Sequence, residues 1–395
     1  MKIMNINLHF YPQSVGGATV VAEKLAWGLT QLGHEVTNIY LSLPSGSTDF
    51  QAMDTPFGRS IGIKNINQSQ ATRYVNPAAT SLLFELYDVI KPDRIFVHAV
   101  QHMGIQPFLE TPEILARTCI IAHDFYWVCL QGFRQLPDGG DCTLHPRASS
   151  CRQCAWFPGL IDQTYAVSRN VLTGCRAVIF PSHYIYSEYV RILGEPSPNF
   201  LIQSNPDIAD MIISNHVLLP EPPGRAAKEI GKTVFGFIGG PGETKGWLLV
   251  RDFMKRAKEM ADQSDGPHVV LFDVGRSMKA PWYPGLEGPG VSIVDPFHWS
   301  YAAYALGMLD VLLMPSRVRE SFGLAAREVL SLGKSCIIRP SGALAELQGY
   351  LGVVMTNNND TIDSLIAKFE TAQSSEKKPW PQTSITDYVG KLLNL

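Results

Sequence analysis

The feature that most limits this chain's fold is a set of short, continuously apolar runs, each separated from the next by sequence of helical period. "KIMNINLHFY", "HEVTNIYLSL", "RIFVHAV", "TCIIAHDF" and "CRAVIFPS" follow one another in the first half. A strand with no polar face is buried on both faces, and alternation with helices is the mark of a parallel sheet covered on both sides. Between the first two runs, "ATVVAEKLAWGLTQLG" sets Ala22, Leu25, Leu29 and Leu32 on one stripe of a helix.

The pattern then breaks and restarts. "LLPEPPGRAAKEIGK" is rich in Pro and Gly and has no apolar period, so it reads as a linker. Beyond it come "TVFGFIGG", "HVVLFDVG", "VSIVDPF", "DVLLMPS", "SCIIRPS" and "YLGVVMT", again with helical stretches between. At 395 residues, two domains of ordinary size are expected rather than one core. The reading is an α/β chain with two doubly wound, Rossmann-like domains. Residues 1–212 form the first, 213–230 the linker and 231–378 the second. Residues 379–395 are expected to form a helix that packs back toward the first domain. Open α/β sheets bind ligands beyond the carboxyl ends of their strands, so the chemistry is expected where the two domains face across a cleft.

With 45% hydrophobic and 17% charged residues, the chain can fill large cores. A net charge of -3 excludes the basic field of a nucleic-acid binder. The start, "MKIMNINLHFYPQSVGG", does not have the form of a secretory signal, and no apolar stretch reaches the roughly 18 residues that span a bilayer. The expected location is the cytoplasm, with at most peripheral contact at the inner face of the membrane.

Three stretches are suited to hold a ligand. Gly16-Gly17 opens the first helix, where backbone without Cβ can approach a phosphate or sugar; a tight turn alone would also place glycines there. "VFGFIGGPGETKGW" repeats this style with Gly239, Gly240 and Gly242, and with Lys245 as a mobile point charge for a diphosphate. In "RESFGLAAREVLSLG", Glu320 falls in a loop above a strand and Glu328 in the second turn of the following helix. The amides of Phe322, Gly323 and Leu324 lie at that helix's N-terminus, where an anion is favoured. A solvated helix surface would produce the same spacing of carboxylates, but a ligand touching both would require it.

Together these motifs resemble the retaining glycosyltransferases of the GT-B fold, in the large family 4 (group 1) type. The resemblance covers Gly16-Gly17, Gly33-His34, Pro181 to Tyr184, Asn205-Pro206, the loop "FIGGPGETKG", Pro315-Ser316 and the E-x7-E pair Glu320 and Glu328. It implies that Glu320 touches the donor sugar, Glu328 the nucleotide ribose, and Lys245 the departing diphosphate. It also implies that His123, in "IIAHDFYW", is the active-site histidine, with Asp124 orienting its ring and Tyr126 and Trp127 on the acceptor side. Gly16, Gly17, Gly240, Phe322, Gly323 and Leu324 complete the donor site, and base recognition is expected near Val294 and Asp295. The family usually has Arg where this chain has Gly240; Arg317, Arg319 and Arg276 are the substitutes to consider.

The implied activity is transfer of a hexose from a UDP- or GDP-type sugar to a carbohydrate or lipid-linked acceptor, with no catalytic metal. Alternatives are a nucleotide-sugar epimerase on the same fold and a non-catalytic two-domain sugar-binding protein.

Seven cysteines divide into two groups. Cys119, Cys175 and Cys336 lie in apolar runs and read as buried hydrophobes. Cys129, Cys142, Cys151 and Cys154 share one Gly- and Pro-containing loop, which fits a closed structural zinc site. An iron–sulfur cluster, His145 in place of one thiol, free thiols and disulfides remain open. The loop's aromatics, Phe125, Tyr126, Trp127, Phe133, Trp156 and Phe157, are suited to stack on a sugar or lipid, with core packing the other reading.

Overall fold

The computed structural model describes all residues except 43–48, 70–71, 155–157, 209–221, 265, 274–284, 296, 358–359 and 373–377. The chain divides into two units, Met1–Pro206 with Ile385–Leu395, and Asp207–Ser384.

The first unit's strands are β1 (Lys2–Ile6), β2 (Glu35–Leu41), β3 (Phe50–Thr55), β4 (Gly58–Ile63), β5 (Arg94–Val97), β6 (Thr118–Ile121), β7 (Ala177–Phe180) and β8 (Phe200–Ile202). They form one sheet in the order β3-β4-β2-β1-β5-β6-β7-β8. Every pairing is parallel except β3 with β4. β6 and β7 are buried at every residue, as continuous apolar runs require.

The β3–β4 hairpin is not among the runs that the sequence marks as strands. β3 lies at the sheet edge with mixed polar residues and exposed positions, so it carries no continuous apolar signal. Its turn is closed by Phe57 N–H donating to Thr55 Oγ1 at 3.2 Å.

The helix Gly16–Gln31 covers β1 and β2, and the last helix, Ile385–Leu393, packs on it. The contact is close at Gly28, where a Cβ would stand 2.5 Å from Ile385 Cγ2. Gln203 Nε2 donates to the Tyr388 carbonyl at 3.0 Å and fixes the same helix.

The second unit contains β9 (Val234–Gly239), β10 (His268–Asp273), β11 (Val291–Val294), β12 (Val311–Met314), β13 (Ser335–Ile338) and β14 (Val353–Met355). Their order is β11-β10-β9-β12-β13-β14, parallel throughout. In this doubly wound order the chain progression reverses between β9 and β12.

The boundaries differ from the sequence expectation. The second unit starts at Asp207, because Asp207 N–H donates to the Thr383 carbonyl at 2.9 Å and Asp207 Oδ2 accepts from Thr383 N–H at 2.7 Å. Part of the expected linker is a helix, Arg225–Glu229, which buries Ala227 and joins Lys228 Nζ to Asp310 Oδ1 at 2.7 Å. Residues 213–221 of that linker lie outside the described residues. No helix among the described residues is long and apolar enough to cross a membrane.

Candidate active site

In the second unit the expected donor residues collect at the strand-order reversal. The loop after β9 ends in a short 3-10 turn, Glu243–Lys245, closed by Gly246 at φ +77. A Cβ at Gly246 would lie 2.2 Å from the Pro315 carbonyl oxygen, so only glycine lets this loop press onto the end of β12. The amides of Arg317 and Val318 both donate to the Thr244 carbonyl, at 2.8 and 3.2 Å. These contacts bring Lys245 Nζ to 2.7 Å from Glu320 Oε1, and Ser316 Oγ donates to the same oxygen at 2.6 Å.

Glu320 is held from both sides: its carbonyl accepts from Ala343 N–H at 2.8 Å, while its side chain is 14% exposed. Lys245 is more open, at 44%, and can turn toward an arriving anion. The helix Leu324–Ser331 starts from Gly323 at φ +75, so the amides of Phe322, Gly323 and Leu324 surround its positive end. Glu328 is buried on this helix.

Arg327, on the same helix, carries no motif in the sequence. Its guanidinium is buried, lies 4.2 Å over the Phe322 ring, donates to the Phe322 carbonyl and pairs with Glu346 at 3.4 Å. Burial pulls its pKa down to about 10, and the nearby Glu346 acts in the opposite direction. It fixes the turn that carries the candidate anion-binding amides. Its only sequence signal was a cation placed four residues after Gly323.

Of the candidate replacements for the missing Arg, Arg317 pairs with Glu243 at 3.5 Å on the surface beside Lys245. Arg319 lies in the same loop, and Arg276 falls outside the described residues. Val294 ends the edge strand β11, and Asp295 follows it.

In the first unit, Gly16 and Gly17 form the first turn of their helix. Gly16 has φ +81, and a Cβ there would meet nothing within 4 Å, so the backbone faces open space. Glu23, fully buried, accepts from Tyr11 N–H at 2.8 Å and Ser14 Oγ at 2.5 Å, and so pins the preceding loop. Asn7 Oδ1 accepts from Ala99 N–H at 3.1 Å, joining the segments after β1 and β5. Both polar residues interrupt otherwise apolar patterns, which was the available signal.

His123 follows β6, and its Nε2 lies 2.8 Å from Nδ1 of His98, which follows β5. Burial pulls the His123 pKa down to about 3, and lowers His98 as well, aided by His123. Asp124 is the next residue along the chain. Its carboxylate accepts from Tyr126 N–H at 2.8 Å and Gln101 Nε2 at 3.3 Å, and burial raises its pKa.

Tyr126 and Trp127 differ from their expected acceptor role. Both are 2% exposed within the hydrophobic core, where Tyr126 stacks on Tyr74 at 4.8 Å and Trp127 meets Tyr126 edge-on. Phe125 is also buried, against Tyr189, whereas Phe133 is 55% exposed. Trp156 and Phe157 lie outside the described residues.

Cys119, Cys175 and Cys336 are buried thiols. Cys129, Cys142, Cys151 and Cys154 are also free, and backbone bonds tie their segments together: Cys142 N–H donates to the Arg134 carbonyl, Cys154 N–H to the Cys151 carbonyl, and Gly132 N–H to the Cys129 carbonyl. Among the described residues, no three His, Cys, Asp or Glu side chains are grouped so as to hold a metal. Among the described residues, Arg134, 2% exposed, leaves Nε and Nη2 without hydrogen-bond partners, and its charge acts on Cys154.

No protein-family model matches the chain, and no curated protein matches it by sequence. Solved structures do match it. Sucrose-phosphate synthase from Thermosynechococcus elongatus aligns with TM-score 0.64 at 14% identity, over 99% of this chain and 98% of its own. HepE of Anabaena, in complex with UDP-glucose, aligns with TM-score 0.62 at 14% identity, over 100% and 99%. An α,α-trehalose-phosphate synthase (UDP-forming) from Burkholderia xenovorans, in complex with glucose-6-phosphate, gives 0.65 at 10% identity, over 100% and 99%. The fold is GT-B along the full chain.

Proposed function

We propose that the protein is a retaining glycosyltransferase of the family 4 type. It moves a hexose from a nucleotide-diphosphate sugar to a carbohydrate or lipid-linked glycan acceptor in polysaccharide or glycoconjugate synthesis. The observation that carries this reading is the Lys245–Glu320 pair at 2.7 Å, built by the two loops that leave the strand-order reversal of the second sheet. A lysine on a glycine loop neutralises a departing diphosphate, and a carboxylate within its reach accepts hydroxyl hydrogen bonds from the sugar. In this reading Lys245 exchanges Glu320 for the diphosphate when donor binds. Glu328 holds the ribose, and the amides of Phe322, Gly323 and Leu324 with the Gly240 loop hold phosphate. Gly16 and Gly17 take the backbone approach in the first unit, where His123 faces the donor sugar.

Catalysis is positioning and electrostatic stabilisation of the leaving group. The donor base is of UDP or GDP type. UDP is the first to try, because HepE of Anabaena was solved with UDP-glucose. Activity at the cytoplasmic face with only peripheral membrane contact belongs to the same reading. A thermal-shift screen against UDP-, GDP- and ADP-sugars tests it. One donor class raising the melting temperature in wild type but not in Lys245→Ala supports the reading, and no response to any donor contradicts it.

A further inference from the structure

The histidine pair in the first unit joins His123 to His98, a buried residue to which the proposed chemistry gives no role. His98 continues β5 past its last strand residue, and its N–H donates to the Ile6 carbonyl at 2.9 Å. The next residue, Ala99, is held by Asn7 Oδ1 at 3.1 Å. On the neighbouring strand, Ala122 N–H donates to the Ile179 carbonyl at 2.9 Å, so the segment leading into His123 is fixed as well. Two rigid strand ends therefore present the two rings to each other, 5.1 Å between centroids and 14° from parallel.

We propose that His98 is a positioning residue for His123, its Nδ1 holding the His123 ring at Nε2 in one orientation and one tautomer. His98 is 2% exposed, and its Nε2 has no hydrogen-bond partner among the described residues. Of the two ways to share the proton, one has His123 Nε2–H donating to His98 Nδ1. The His98 proton then sits on Nε2 as an orphaned buried N–H donor, a rare and costly arrangement. The other has His98 Nδ1–H donating to His123 Nε2 and leaves only a bare acceptor at His98 Nε2. The geometry selects the second. His123 then carries its proton on Nδ1, with Nε2 occupied by His98.

The catalytic arm of the test rests on His123 lying in a transferase site; the spectroscopic arm does not. Full-length wild type, His98→Phe and His98→Asn are compared. Asn places an N–H where Nδ1–H stood, and Phe keeps the ring but removes the donor. In 15N spectra of histidine-labelled protein, wild type and His98→Asn are expected to show His123 as the Nδ1–H tautomer, and His98→Phe a mixture. In donor turnover, His98→Phe is expected to lose about a hundredfold in kcat, the scale of a mispositioned catalytic group, with donor KM little changed and His98→Asn largely restored. An unchanged His123 tautomer in His98→Phe overturns the proposal, whether or not activity falls. A wild type showing the Nε2–H tautomer overturns it as well. If wild type turns over no donor at all, the transferase reading fails while the spectra still decide the role of His98.

Discussion

Lys245 Nζ stands 2.7 Å from Glu320 Oε1, and the two residues belong to the loops after β9 and β12, the adjacent strands between which the second sheet reverses its order. Seventy-five positions separate them in sequence. Gly246 permits their approach, and two amides on the Thr244 carbonyl hold it.

Removing each carboxylate separately should give different defects. Glu320→Ala removes the group beside Lys245 and is expected to abolish transfer, by at least about a hundredfold in kcat. Glu328→Ala is expected mainly to weaken donor binding, with KM raised about tenfold, the effect of one lost hydrogen bond to a charged group. Equal loss of donor affinity in both, with turnover retained in Glu320→Ala, contradicts the assignment.

Arg327→Met tests the turn that carries the helix amides. Only the arginine side of its pair with Glu346 is fully buried, so removing it is expected to cost about 1–3 kcal/mol through the lost contacts and the unpaired Phe322 carbonyl. The expectation is a lowered urea midpoint at unchanged m, together with weaker donor binding. A variant as stable as wild type shows that the contacts to Phe322 and Glu346 do not hold the turn.

Acid should destabilise the first unit through its histidines. The unfolded His123 takes up a proton near 6.5, whereas the folded ring stays neutral to about 3. Between those values the unfolded state holds more protons, so stability falls as pH drops through 6.5 and keeps falling toward 3. Thermal melts between pH 7 and pH 5 should show this trend, reduced in His123→Gln. Equal slopes in both proteins contradict it.

The loop thiols make a separate prediction. In this structure the four sulfurs are not grouped for a metal, yet the buried Arg134 lies beside them with unpartnered nitrogens. A zinc tetrathiolate carries two negative charges, one of which that guanidinium would offset. Zinc added to metal-free protein is therefore expected to bind at about one equivalent, release protons and raise the melting temperature. All four thiols reacting freely with a thiol reagent, and no zinc retained, would remove this idea.

The buried strands were legible in the sequence because burial on both faces writes itself as an unbroken apolar run. β3 and β4 were not, since an exposed edge hairpin carries no such run. The glycine loop, Lys245, Glu320 and Glu328 could be found from type and spacing. The Lys245–Glu320 contact could not, because it depends on sheet order. Tyr126 and Trp127 show the converse failure: aromatics in loop-like sequence look available, yet the loop packs them against Tyr74. In the sequence His98 is one residue of the apolar run "RIFVHAV", and its closeness to His123 follows only from β5 and β6 being neighbours.

The most direct measurement is release of nucleoside diphosphate from UDP- and GDP-hexoses by wild type, Lys245→Met and Glu320→Gln. The account predicts turnover of one donor by wild type, stimulated by a carbohydrate or lipid-linked acceptor. Each substitution should lower it by about a hundredfold or more. Turnover that persists unchanged in both variants, or a wild type that releases no nucleotide from any donor, would contradict it.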